Sequence, residues 1–517
     1  MVGAARRGRL LNGTLTALVL AALAAGPASA RPAGDDGTAV TSTLAWASCG
    51  ERLECAQVRV PLDWAHPRNG TITLPVIRHL ASKPAKRIGS LFVNAGGATG
   101  SVDAVRADGE SLDALGDGRF DVVGWALRGT GGSRVVRCFE DDGQRASFWG
   151  GLPIPTTPSQ AQRTLPRFAD YARRCGMLNG DLLEHVSTTD DARDLDLLRR
   201  LVGDRTLTYK AVSYGTFLGQ TYANLYPDRV RAMVLDGLVD PRVVMRGAEA
   251  RFADTVAAMD QGLEQFAARC EDAGPSQCAL AGNGPVSVRV ASLLARLRSG
   301  SIPAPTAQPP GALQYGDLLT ALFVSLTNPT AWPQLATDLA AADNGDGSAL
   351  ATLARAVLGG VRSAAGDPTA AITCTDSPAR RGLSSWPQVI RRLSEVSAIG
   401  GPFVGWASWA PCASWRARSA DRYTGPWNAS TPHPILVVGT RFDPATPYAN
   451  AQRVARLLGS AVLLTHDGYG HTSEADPSSC VQEAIRAYLV GLVTPPRGTV
   501  CPSDRRPFDA GFGTGLP

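Results

Sequence analysis

The chain has 517 residues, 44% of them hydrophobic, which is enough for a large core and for either two structural units or one domain carrying an insertion. Its 51 Lys and Arg against 46 Asp and Glu leave a net charge of +5 with no long basic run. That balance argues against nucleic-acid binding, and the scattered arginines read as solvated surface.

At the N-terminus, Arg6, Arg7 and Arg9 precede an apolar stretch over 15–25, and Ala28-Ser29-Ala30 supplies a small-x-small cleavage site. Residues 1–30 therefore read as a signal peptide, exported by the Sec or twin-arginine route. No later segment offers the roughly 18 uninterrupted apolar residues of a membrane span. The expectation is a secreted, extracellular protein with no stable membrane association, and no cysteine closely follows the cleavage site to carry a lipid. Ten cysteines without a Cys-x-x-Cys pair point to disulfides rather than metal thiolates. Pairing sequence neighbours gives Cys49 with Cys55, Cys138 with Cys175, Cys270 with Cys278, Cys374 with Cys412 and Cys480 with Cys501, although sequence alone does not fix connectivity.

Residues 57–62 and 71–79 alternate as two strands around the turn-rich His66-Pro67-Arg68-Asn69-Gly70, and 90–94 and 121–125 are apolar runs of buried strands. Thr188 or Thr189 caps a helix whose Leu195, Leu198, Leu201 and Val202 recur at helical spacing. It leads into a strand at 206–212, a helix marked by Phe217, Leu218 and Leu225 and stopped by Pro227, and a strand at 230–235. Between 241 and 433 the strand rhythm gives way to Ala- and Leu-rich helical stretches broken by Pro/Gly connectors such as 300–311. Strands resume at 435–439 and 461–464, and the tail after Pro502 is too rich in Gly and Pro to assign. No internal repeat is present. The reading is an α/β fold, a mostly parallel sheet covered by helices on both faces. Its core is split into 31–240 and 434–517, and the mainly helical insertion 241–433 forms a cap over the catalytic end of the sheet.

Ala211-Val212-Ser213-Tyr214-Gly215 places a serine where the strand turns sharply into a helix. Small residues two before and two after the serine are what such a turn needs, because the neighbouring backbones nearly touch. Serine among small residues is more often just a turn, so the downstream sequence decides. Asp443 lies just beyond one late strand and His471 in a glycine-flanked loop beyond the next. Asp443 before Pro444 could be a turn former and His471 a loop residue, but both sit at C-terminal strand ends, where ligands bind in open α/β sheets. The order Ser213, Asp443, His471 is that of an α/β-hydrolase triad. His466 is a rival base at a strand end without the glycine loop that would let it reach back over the sheet. The oxyanion donors expected are the N–H of Tyr214 and that of Gly97, in a glycine-rich loop lacking the lysine of a phosphate-binding loop. No metal or other cofactor is needed.

Asn94-Ala95-Gly96-Gly97-Ala98-Thr99-Gly100-Ser101, Arg128-Gly129-Thr130-Gly131-Gly132-Ser133, Ser213-Tyr214-Gly215-Thr216, Asp443-Pro444-Ala445-Thr446-Pro447 and Gly470-His471-Thr472 resemble secreted actinobacterial tripeptidyl aminopeptidases, which belong with the proline iminopeptidase-related serine peptidases. Ala371-Ile372-Thr373-Cys374-Thr375-Asp376 and Asp421-Arg422-Tyr423-Thr424-Gly425-Pro426-Trp427 extend the resemblance, which spans about residues 44–505. Departures stand at Ala95, Ala98, Thr99, Ala211 and Ala126-Leu127, and they bear on substrate preference more than on chemistry. The resemblance implies an exopeptidase that releases short peptides, tripeptides by analogy, from free N-termini. It also implies carboxylates in or near the cap that bind the substrate α-ammonium, for which Asp376 is the candidate by motif position; Glu249, Glu264 and Glu271 are unranked. A carboxylesterase using the same triad, or a hydrolase-fold binding protein without turnover, are the alternatives.

Overall fold

Alternating burial along β2 (Leu53–Pro61) gives it one solvated face, and it pairs antiparallel with the more buried β3 (Thr71–His79) from Leu53 opposite His79 to Pro61 opposite Thr71. A short β1 (Ala47–Gly50) pairs with β2 at the sheet edge. These residues belong to a computed structural model that describes 41–509 and 512, except 133, 150–153, 247, 363–365, 378–381 and 409. The segment 1–30, read as a signal peptide, lies outside the described residues.

Further in, β4 (Gly89–Asn94), β5 (Phe120–Trp125), β6 (Leu207–Val212) and β7 (Val230–Asp236) are buried along nearly their whole length, as strands covered on both faces must be. A small hairpin, β8 (Ile302–Ala304) with β9 (Gly311–Leu313), lies apart from the main sheet. β10 (Ile435–Phe442), β11 (Ala461–Tyr469) and β12 (Val500–Pro502) complete a ten-stranded sheet of order β1-β2-β3-β5-β4-β6-β7-β10-β11-β12, parallel from β5 onward.

The period of two along the parallel strands sends successive side chains to opposite layers. Leu91, Val93, Ala232 and Val234 pack with Val105 of α1 (Val102–Leu115) and with residues of a C-terminal helix; Phe92, Tyr209, Met233 and Leu235 face the other way. In chain order, α2 (Asp142–Trp149) and α3 (Pro158–Asn179) precede α4 (Thr188–Leu201) and α5 (Tyr214–Leu225), whose Leu195, Leu198, Leu218 and Tyr222 fill that second layer. The 241–433 stretch carries α6 (Pro241–Arg246), α7 (Ala248–Ala273), α8 (Val286–Ser299), α9 (Tyr315–Leu326), α10 (Trp332–Asp343), α11 (Ser348–Val361), α12 (Gly366–Asp376), α13 (Trp386–Val396) and α14 (Gly400–Phe403). α15 (Tyr448–Leu457) and α16 (Ser479–Gly491) return to the sheet, α16 against the layer that holds α1. Among the described residues no helix is long and apolar enough to cross a membrane.

Three local readings change. Ser187, not Thr188 or Thr189, caps α4: its hydroxyl accepts from Asp190 N, and Thr188 is the first helical residue. β11 runs past 464 to Tyr469, so His466 lies inside a strand rather than at its end. β1 and β12 were too short to announce themselves, yet β12 adds a parallel edge beside β11.

All ten cysteines are paired, between the expected sequence neighbours: Cys49–Cys55, Cys138–Cys175, Cys270–Cys278, Cys374–Cys412 and Cys480–Cys501. The last ties α16 to β12, and Cys374–Cys412 ties the end of α12 to the turn at 410–414. Thiol titration of the denatured, unreduced protein should find no free thiol, and peptide mapping should recover these five links. Two reactive thiols, or a link such as Cys55 to Cys138, would contradict the arrangement.

Candidate active site

Ser213 sits between β6 and α5 with φ +53° and ψ −122°, a conformation that costs a non-glycine residue about 1–3 kcal/mol. The turn exists because its neighbours lack side chains. A Cβ on Gly215 would lie 2.5 Å from Asn94 Oδ1 and 2.8 Å from Ala211 Cβ, and one on Gly96 would lie 3.1 Å from Ser213 Cβ. Hydrogen bonds then hold it: Ser213 N donates to Asp236 O (3.0 Å), Thr216 Oγ1 to Ser213 O (2.6 Å) and Tyr209 OH to Gly215 O (2.9 Å).

Asp443 follows β10 and is buried. Its Oδ1 accepts from Ala445 N and Thr446 N, both at 2.8 Å; its Oδ2 accepts from Thr446 Oγ1 (2.7 Å) and Thr472 N (3.1 Å). His471 Nδ1 lies 3.0 and 3.1 Å from the two oxygens. A carboxylate only accepts, so Nδ1 carries the proton and Nε2 is left as the basic nitrogen. Burial opposes the charged imidazolium, but the charge and hydrogen bond of Asp443, with a smaller contribution from Asp236, hold the His471 pKa above its ordinary value. Burial also works to raise Asp443; the His471 charge and the bonds from His471 and Thr446 win, and Asp443 stays below the usual carboxylate range. His471 N donates to Thr327 O (2.8 Å), just beyond α9. Among the described residues no hydrogen bond joins Ser213 Oγ to His471. In free enzymes such contacts are often long and tighten only in the Michaelis complex.

Ser213, Tyr214, Gly97, Ala98 and Thr446 line one pocket, whose remaining wall comes largely from the 241–433 stretch: Phe252, Thr255, Phe323, Thr369, Thr373, Asp376, Phe403 and Val404. Tyr214 is the first residue of α5, where helix N–H groups have no intrahelical partner. Gly97 has φ +68°, and its carbonyl accepts from Thr369 Oγ1 (2.9 Å). Asp376 faces the pocket but also caps α4 from outside: its oxygens accept from Thr188 N (3.2 Å) and Thr188 Oγ1 (2.5 Å), and that hydroxyl accepts from Tyr214 OH (2.6 Å). The other carboxylate in the wall, Asp240, accepts from Arg242 N (3.0 Å) and Arg453 Nε (2.9 Å). The rest of the wall is mainly apolar.

His466 is fully buried, 3.1 Å from Thr440 Oγ1 and 3.3 Å from Ser503 Oγ, and burial pushes its pKa down to about 4. It is packed inside the sheet, away from the pocket-lining residues. Sequence reading overlooked Thr446, which touches both Asp443 and His471 Nδ1 (3.2 Å), although it stands in the Asp443-Pro444-Ala445-Thr446 motif. It also overlooked Asp236, Thr327 and Thr369, which carry no local signal.

The parallel sheet, the strained serine between strand and helix, and the Asp–His pair beyond two later strands define an α/β hydrolase of the serine hydrolase class. A sequence profile described as TAP-like protein matches residues 399–501. Serine protease Hip1 of Mycobacterium tuberculosis is 33% identical over 465 residues, covering 86% of this chain and 87% of that protein. The tripeptidyl aminopeptidase of Streptomyces lividans is 29% identical, covering 96% and 97%. Carboxylesterase B of Mycobacterium tuberculosis is 31% identical, covering 89% and 90%. The chain belongs to this TAP-like family of α/β hydrolases.

Beside His466, Asp476 is buried, and burial raises its pKa to about 6 despite bonds from Ser503 Oγ and Tyr469 N. A folded-state pKa raised above the unfolded value means that ionising Asp476 destabilises the fold: the penalty is absent below pH 4 and complete above pH 6. The stability difference between wild type and Asp476→Asn should therefore move in the variant's favour by about 3 kcal/mol between pH 3.5 and 7.5, measured by urea unfolding. A difference independent of pH would refute the assignment.

Proposed function

We propose that the protein is a secreted serine exopeptidase that removes short peptides, tripeptides by family resemblance, from free N-termini. The observation that carries this reading is the shared pocket: the wall that holds Ser213 is completed by residues of α7, α9, α12 and α14, so a substrate reaches the serine under helical cover, as suits a chain end rather than a loop. Two relatives named as a serine protease and a tripeptidyl aminopeptidase point the same way. Five disulfides suit an oxidising, extracellular compartment.

In the mechanism, Ser213 Oγ attacks the scissile carbonyl while His471 Nε2 takes its proton, and the imidazolium is stabilised by Asp443. The N–H groups of Tyr214 and Gly97 receive the oxyanion. The protonated His471 then gives its proton to the leaving amine, and water, activated by the same nitrogen, releases the acyl group. Asp376 is the carboxylate proposed to meet the substrate α-ammonium. The apolar wall built by Phe217, Val244, Phe252, Phe323 and Phe403, together with the carboxylesterase relative, favours as a second reading an esterase acting on apolar acyl groups.

Ser213→Ala should fold and lose about 10⁶-fold in kcat. Matched peptides with free and acetylated N-termini, compared with simple acyl esters by kcat/KM, separate the readings. Strong preference for the free amine, lost in Asp376→Asn, supports the exopeptidase. Equal rates on both peptide forms defeat it, and turnover confined to esters establishes the second reading.

A further inference from the structure

The residue after His471 is a conformational oddity. Thr472 has φ +71°, a value that β-branched side chains almost never adopt, so something must hold the loop in place. Two carboxylates do. Asp443 takes His471 Nδ1 and Thr472 N, on the near side of the strain. On the far side, Ser473 donates to Asp236 through its backbone N (3.1 Å to Oδ2) and its hydroxyl (2.6 Å to Oδ2). Asp236 is the last residue of β7, fully buried, and its own carbonyl accepts the Ser213 N–H. One residue thus grips the nucleophile turn by its main chain and the histidine loop by its side chain. Gly237, with φ +67°, lets the two come close: a Cβ there would lie 2.7 Å from Thr472 and 3.4 Å from His471 Cε1.

Taking Ser213 and His471 as nucleophile and base, we infer that Asp236 is a positioning residue, a second carboxylate that fixes the His471 loop against the serine turn and adds its negative charge to the field on the imidazole. The charges facing this group are few. Asp443 lies on the β10 side and Asp236 on the β7 side. Lys210 of β6, itself buried, sits near Asp236 and is ion-paired with Glu474, which is half-exposed in the same loop. The contact from the cap is the neutral Thr327 carbonyl. Burial works to raise the Asp236 carboxyl above its ordinary range, the bonds from Ser473 and the Lys210 cation favour its ionised form, and ionised Asp236 raises the pKa of His471.

The test is the pH dependence of Ser213 labelling by a fluorophosphonate, whose rate falls as His471 becomes protonated. Asp236→Asn keeps an acceptor for Ser473 but removes the charge. It should label about 10-fold more slowly at pH 8, with its acid midpoint lowered. Lys210→Met, which removes a cation that favours ionised Asp236, should also move the midpoint downward, and Ser473→Ala should slow labelling. A midpoint lowered in Lys210→Met, with the Asp236 side chain still in place, is the signature of a charge acting on His471, which a merely structural contact does not produce. Unchanged midpoints in Asp236→Asn and Lys210→Met overturn the inference; if Asp236→Asn does not fold, the Lys210→Met midpoint decides alone. A wild-type protein that the reagent does not label defeats the triad reading itself, a different outcome from wild-type labelling with unmoved midpoints.

Discussion

The left-handed backbone at Ser213 is the constraint on which the rest of the site depends. Holding a serine at φ +53° requires that β4 and β6 approach the start of α5 more closely than side chains permit, and the sequence supplies Gly96, Ala211 and Gly215 at the three contact points. The strain is worth about 1–3 kcal/mol and is offset by the bonds around it, chiefly the Asp236 carbonyl on Ser213 N and the Thr216 hydroxyl on Ser213 O. The geometry has a chemical consequence. It lifts the serine side chain out of the sheet and leaves the Tyr214 N–H at the beginning of a helix, where the positive end of the helix dipole favours developing negative charge.

The opposite half of the site is organised by acceptor capacity. The Asp443 carboxylate receives two backbone N–H groups and a hydroxyl from its own loop, a third backbone N–H from Thr472, and the imidazole. It is therefore fully occupied, charged and immobile, and it fixes the His471 tautomer as well as its orientation. Helices of the 241–433 stretch hold the site as well as lining the pocket. The Thr327 carbonyl holds the His471 main chain, and the Thr369 hydroxyl holds the Gly97 carbonyl in the glycine-rich loop. Because α12, which carries Thr369, is tied through Cys374–Cys412 to the turn at 410–414, the disulfide and the glycine-rich loop share one mechanical element.

Much of this was legible in the sequence because the signals were local. Buried parallel strands appear as apolar runs, and a strand-to-helix turn appears as small residues around a serine. What was not legible is long-range. Asp236 looked like the end of a strand, and nothing nearby shows that its carboxylate meets Ser473, 237 residues later. His466 looked like a residue at a strand end because a strand's length is set by its neighbours: pairing with β10 and β12 carries β11 on to Tyr469 and encloses the ring. The helix cap moved by a residue because Ser187 and Thr188 are both good caps in isolation; Asp376, 188 positions away, claims Thr188 instead. Ala98, a departure from the family pattern, holds φ +53° while buried, and it lines the pocket beside Ser213.

Arg128, which stands in the family motif, is held by the same kind of paired polar contacts. Its guanidinium is fully buried and pairs with Asp194 through Nε (2.6 Å) and Nη2 (2.8 Å), while the Pro61, Leu62 and His185 carbonyls take its remaining bonds. Net stabilisation from such a pair is small, since desolvation cancels most of the attraction, but removing one partner leaves an uncompensated charge at a cost of about 3–5 kcal/mol. Its main-chain N also donates to Asp191 Oδ1 (3.0 Å), so Arg128 binds α4 from both backbone and side chain. The N-terminus of α4 is where Thr188 receives the Tyr214 hydroxyl and Asp376 closes the helix. The arginine therefore fixes the helix against which Tyr214, the residue following Ser213, is braced, a task that no apolar substitute of the same volume performs.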